Sequence, residues 1–135
     1  MSDNPLILLV DDEKDFLEIF STKLKAAGFN IAEASGGEEA ISKIKEIKPS
    51  LVLLDFNMPQ MDGAEVLSKI KADPEIANTK VVFLTSYGEP VPVEELELND
   101  KKFAQEVGAM DYLRKDADLD ETVAEVKKIL AKYKI

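Results

Sequence analysis

Leu6-Ile7-Leu8-Leu9-Val10-Asp11-Asp12 decides the fold: five consecutive apolar residues stop at two aspartates. A continuous apolar run of this length fits a strand buried on both faces, as in a parallel sheet, better than the alternating pattern of a half-exposed strand. The pattern recurs along the chain. Leu51-Val52-Leu53-Leu54 closes on Asp55, and Val81-Val82-Phe83-Leu84 closes on Thr85. Asp111-Tyr112-Leu113-Arg114 closes on Lys115, and Asn30 to Ala34 forms a shorter, weaker strand.

Helical patterns fill the intervals. Phe16, Phe20, Leu24 and Ala27 recur at helical spacing and share one face. Gly28 follows as a left-handed cap. Ser35 and Glu38 are placed for a capping box ahead of Ala40, Ile41, Ile44 and Ile47, and Pro49 closes that segment. Ala64, Val66, Leu67 and Ile70 mark a third helix, and Phe103, Ala104 and Val107 a fourth, closed by Gly108. Asp118 and Glu121 are a second capping box, before the stripe Leu119, Val123, Val126, Leu130 and Tyr133. Five strand–helix units with short connections predict an α/β fold, a parallel sheet covered on both faces, with right-handed crossovers.

Length and composition narrow the function. The 135 residues suit one domain that buries its core without staples, and neither linker nor repeat interrupts them. With no cysteine and no histidine, thiolate zinc sites and imidazole bases are excluded. Site chemistry must use carboxylates, hydroxyls, lysines and backbone groups, a set that favours magnesium, calcium or manganese. The net charge of −10 opposes direct nucleic-acid binding. The first residues lack the pattern of a signal peptide, and no apolar run is long enough for membrane insertion, so a soluble cytoplasmic protein is expected.

In an open parallel sheet, ligands bind beyond the carboxyl ends of the strands. The residues that close the apolar runs are Asp11 and Asp12, Asp55, Thr85 and Lys115, so four strands deliver three carboxylates, a hydroxyl and an ammonium to one edge. Clustered carboxylates repel one another unless a cation sits among them. A magnesium ion and Lys115 would supply that compensation. A carboxylate so placed is equipped to attack phosphorus, with metal and lysine neutralising charge on the phosphoryl oxygens.

The strings that carry this chemistry are Val10-Asp11-Asp12-Glu13, Leu54-Asp55-Phe56-Asn57-Met58-Pro59-Gln60-Met61-Asp62-Gly63, Leu84-Thr85-Ser86, and Gly108-Ala109-Met110-Asp111-Tyr112-Leu113-Arg114-Lys115. In this order they resemble the receiver domains of two-component response regulators, and the likeness covers essentially the whole chain. It implies a flavodoxin-like, doubly wound, five-stranded parallel sheet in order 2-1-3-4-5 with five helices, a three-layer sandwich. It implies that residues 1–135 are one receiver domain without an output domain. Asp55 would be the phosphoacceptor. Asp11, Asp12, Asp55 and the Asn57 backbone carbonyl would hold Mg2+, or Mn2+ in its place. Thr85 and Lys115 would contact the phosphoryl group, Thr85 and Tyr112 would switch together, and Ser86 would keep the site roomy. The implied donor is a histidine kinase or histidine phosphotransfer protein. The implied output surface for an unknown protein target is the 93–133 face.

Two features depart from the family pattern. Asp116 stands where the family usually has a cis proline, and a cis bond before another residue costs roughly 3 kcal/mol. This leaves open a trans loop and a different aim for Lys115. The stretch between Thr85 and Lys115 is long, with an acidic insertion over Glu89 to Leu98 that either alters partner choice or is a plain surface loop.

Each site residue also has an ordinary structural reading. Adjacent aspartates often cap helices, Asp55 and Thr85 could simply end strands, Lys115 could be a surface lysine, and Tyr112 could be a core aromatic. Competing functions are a magnesium-dependent aspartyl-phosphate phosphohydrolase, a degenerate receiver that binds partners without phosphorylation, and a flavin-binding domain. The first would want a second aspartate where Asn57 stands. The last would want a hydroxyl- and glycine-rich loop where Asp11-Asp12-Glu13-Lys14 stands.

Overall fold

Every apolar run in the sequence is a strand. The computed structural model of the protein describes residues 5–85, 110–115 and 117–135. Its strands are β1 (Leu6–Val10), β2 (Asn30–Ala34), β3 (Leu51–Asp55), β4 (Val81–Thr85) and β5 (Asp111–Arg114). The helices among the described residues are α1 (Lys14–Ala26), α2 (Gly37–Ile47), α3 (Gly63–Ala72) and α4 (Leu119–Lys132). Ser86, the Glu89–Leu98 insertion, the expected helix around Phe103, Ala104 and Val107, its closing Gly108, and Asp116 lie outside the described residues.

The strands form one parallel sheet in order β2-β1-β3-β4-β5. Side chains alternate between its faces, which divides the core in two. Leu8, Val10, Val52, Leu54 and Phe83 pack with Ala40, Ile44, Val66, Leu67 and Ile70 of α2 and α3. Ile7, Leu9, Leu51, Leu53, Val82 and Leu84 pack with Leu17, Phe20 and Leu24 of α1 and with Val123, Val126 and Leu130 of α4. The result is the expected three-layer sandwich.

Local signals explain where elements stop. Gly28 takes the left-handed conformation (φ 101°) just past α1. The carboxylate of Asp118 accepts the N–H groups of Asp120 and Glu121 and so caps α4. The cap of α2 differs from expectation. Gly36 is its N-cap, and Ser35 donates from its N–H and its hydroxyl to Glu39, at 2.7 and 2.9 Å, rather than pairing with Glu38. The helix begins later than the sequence pattern predicts, which moves the acidic partner on by one residue.

Candidate functional site

Strand register brings the acids level. Val10 pairs with Leu54, so the next residues, Asp11 and Asp55, leave neighbouring strands side by side. Both are buried, at 0% and 1% exposure. Asp12 is more open and lines a cleft of about 500 Å³ together with Glu38, Met58 and Met61. One carboxylate oxygen from each of Asp11, Asp12 and Asp55 lies within 4.8 Å of the others.

Alternation along the strands then sorts the remaining groups. Asp11 and Asp55 continue the face of Leu9 and Leu53, toward α1, and Lys115 enters from the same side. Its Nζ lies 2.8 Å from Asp11 Oδ2, 2.6 Å from Glu13 Oε1 and 3.6 Å from Asp55 Oδ2. It also stands over the Phe16 ring, 4.7 Å from the centroid, a cation–π contact. Lys115 is thus aimed into the acid cluster, which answers the question left open by the residue after it. Among the described residues, three acids and an aromatic face hold the ammonium there.

Thr85 and Tyr112 lie on the opposite side of the sheet edge. Tyr112 is half-buried against the α2/α3 core that includes Phe83. The Thr85 hydroxyl donates to the Leu113 carbonyl at 3.4 Å, and the Lys115 N–H donates to the Thr85 carbonyl at 2.6 Å. Neighbouring strands therefore bring Thr85 and Lys115 together through the backbone, with the Thr85 hydroxyl bonded on the β5 side. The Asn57 N–H donates to Asp55 Oδ1 at 3.3 Å, so the loop after β3 folds back over the acid.

Asp62 and Gly63 hold that loop in place. Asp62 caps α3 by accepting the Glu65 N–H at 2.8 Å. The Gly63 N–H donates to the Phe56 carbonyl at 2.7 Å. A Cβ on Gly63 would sit 2.8 Å from Phe56 Cα and 3.0 Å from the Asp55 carbonyl oxygen. Only glycine allows α3 to start this close to the acid.

Burial raises the Asp11 carboxyl above its ordinary pKa, and the Glu13 charge pushes it the same way. The pull of Lys115 and the Glu13 N–H offset this only in part. For Lys115, burial opposes the charged form, yet its acidic contacts with Asp11, Glu13 and Asp55 prevail and hold it well above the ordinary lysine range. The charged form of the ammonium is therefore favoured, while Asp11 beside it is left short of compensation. Asp11 Oδ2 is buried and makes no directed hydrogen bond, although it faces Lys115 as an ion pair. A hard divalent cation that accepts carboxylate oxygens fits this donor set.

The comparisons with known proteins decide the family. Residues 7–127 match the family model described as the response regulator receiver domain. The chain belongs to that family. Receiver domains are signalling modules that interact with histidine kinases or phosphotransfer proteins and bind Mg2+ at an acidic site, and this chain carries an acidic cluster of Asp11, Asp12 and Asp55. It is 33% identical to the sporulation initiation phosphotransferase F of Bacillus subtilis over 127 residues, 94% of each chain. It is 37% identical to a transcriptional regulatory protein CpxR homolog of Haemophilus influenzae over 92% of its own length but 49% of that protein. The receiver thus spans about half the length of several curated relatives it matches. Among solved structures, it resembles a receiver domain protein of Methanospirillum hungatei at 26% identity and TM-score 0.76, covering 96% of both chains. It also resembles a Francisella response regulator receiver domain at 25% identity and TM-score 0.77, covering 96% and 99%. No helix among the described residues is long and apolar enough to cross a membrane.

Sequence reasoning singled out Asp11, Asp12, Asp55, Asn57, Thr85, Lys115 and Tyr112; all lie at this edge except Tyr112, which pairs with Phe83 inside the sheet. It gave no role to Glu13 and Phe16, which flank Lys115. The only available signal was an acid directly after the aspartate pair.

Proposed function

We propose that Asp55 is the phosphoacceptor of a phosphorelay. Its carboxylate attacks the phosphorus of a phosphohistidine on a histidine kinase or phosphotransfer protein. An O–P bond forms on Asp55 as the P–N bond of the donor breaks. The observation that carries this reading is the convergence of the Asp11, Asp12 and Asp55 carboxylates, two of which, Asp11 and Asp55, face the buried Lys115 ammonium. Asp11, Asp12, Asp55 and the Asn57 carbonyl would hold the Mg2+, with Mn2+ as a substitute, and the bound ion supplies charge neutralisation at the phosphoryl oxygens. Lys115 neutralises a further phosphoryl oxygen from the α1 side.

Thr85 is the mobile member. Its long hydrogen bond to Leu113 is weak enough to exchange for one to a phosphoryl oxygen. That movement vacates space next to Tyr112, whose ring turns inward and alters the 93–133 face, where a downstream protein binds. Catalysis by this chain is limited to self-phosphorylation from small donors and autodephosphorylation, and it acts in the cytoplasm without direct nucleic-acid contact.

Intact-mass measurement with Mg2+ and a small acyl-phosphate donor tests this reading. It predicts a labile gain of one phosphoryl group that Asp55→Asn abolishes. An unmodified wild-type protein under all Mg2+ and donor conditions would refute it.

A further inference from the structure

Glu13 sits at an unusual junction. It is the N-cap of α1, its N–H donates to Asp11 Oδ1 at 2.9 Å, and its carbonyl accepts the Leu17 N–H. Its backbone is therefore fixed beside the site. Its side chain is 66% exposed, yet among the described residues it makes the shortest of the three acidic contacts to Lys115, whose side chain is only 7% exposed. The contact to the buried Asp55 is a full ångström longer, 3.6 Å against 2.6 Å.

We propose that Glu13 is a restraining counterion: it draws the Lys115 ammonium toward the solvent rim and slows the capture of a phosphoryl group at Asp55. The proposal rests on the reading that Lys115 contacts the phosphoryl oxygens. Two effects act in the same direction. The ammonium has a limited number of protons, and a phosphoryl oxygen must compete with the Glu13 carboxylate for one of them. A carboxylate at the rim also repels the anionic donor. Among the acids on Lys115, Glu13 is the one open to water, so salt screens its hold while leaving Asp11 nearly untouched. Glu13 acts through Lys115 and is a positioning residue.

The test uses the full chain with Glu13→Gln, Glu13→Ala, and Glu18→Gln as a charge-matched control on the exposed side of the same helix. Two readouts are taken with Mg2+: beryllofluoride affinity by fluorine NMR, and the rate of phosphorylation by a small acyl phosphate. Both Glu13 variants should gain roughly two- to fivefold in each, the range one screened ion pair supports. Glu18→Gln should match wild type. The gain should fade at roughly 0.5 M salt, where screening acts over about 4 Å. The Lys115 ammonium resonance should shift in the Glu13 variants, which checks the ion pair without any phosphoryl chemistry. Glu13 variants that equal Glu18→Gln, or that fall below wild type, overturn the proposal. A wild-type protein that takes up neither beryllofluoride nor phosphoryl groups overturns the phosphoacceptor reading and this inference with it.

Discussion

Strands β1 and β3 carry two kinds of residue one step apart. Leu9, Val10, Leu53 and Leu54 are fully buried among other apolar side chains. Asp11 and Asp55 follow them at the same depth, but as carboxylates sharing a single lysine. The strand interiors contribute stability, about 25 cal/mol for each Å² of apolar surface removed from water. The carboxyl edge gives stability up, because a buried acid without full compensation costs more than it returns. The difference teaches that the sheet is a rigid platform for a deliberately under-compensated anionic site. A cation and a phosphoryl group are attractive there because the protein alone leaves the charges unsettled.

The sharpest way to separate the regions is to damage the platform alone. Leu53→Ala should lower unfolding stability by roughly 2–5 kcal/mol in urea titration, while the remaining folded protein keeps its Mg2+ response. Next in size is Mg2+ itself. At a hundredfold excess over its dissociation constant it should stabilise the wild-type protein by about 2.7 kcal/mol, read as a rise in Tm that Asp11→Asn loses. Without Mg2+ the comparison reverses, and Asp11→Asn should raise the Tm, since burial disfavours the ionised Asp11. A lower Tm there would mean that Lys115 compensates the edge fully.

Gly63→Ala touches both regions, because its Cβ would press on the backbone of Phe56 and Asp55. It should cost roughly 1–3 kcal/mol and also slow phosphorylation, by displacing the loop over Asp55. The smallest expected effect lies at the start of α2. Hydrogen bonds from the Ser35 N–H and hydroxyl lower the Glu39 pKa. That contribution is present above the ordinary glutamate value and is lost as pH falls through the lowered one. Glu39→Gln should therefore cost at most a few tenths of a kcal/mol, since solvent screens the site, and only at neutral pH in a thermal scan.

The platform was legible in the sequence because buried parallel strands read as unbroken apolar runs, and β2 was found despite its weaker pattern. The site was legible because residues closing those runs must meet at one edge. Side-chain partner choice was not. Ser35 binds Glu39 rather than Glu38 because the helix start shifts by one residue, a matter of backbone turn. Glu13 and Phe16 reach Lys115 from the far end of the chain, a contact no local spacing encodes. The aim of Lys115, which the residue after it left open, was not legible for the same reason: distant charges hold it.

The central claim is that phosphoryl chemistry at this edge occurs on Asp55. Borohydride reduction of the phosphorylated protein converts an aspartyl phosphate to homoserine, and peptide mass spectrometry then finds the altered residue. The account predicts a single change at Asp55, within Leu51–Gly63. Homoserine at Asp11 or Asp12 instead, or phosphate retained on a hydroxyl such as that of Thr85, would contradict it.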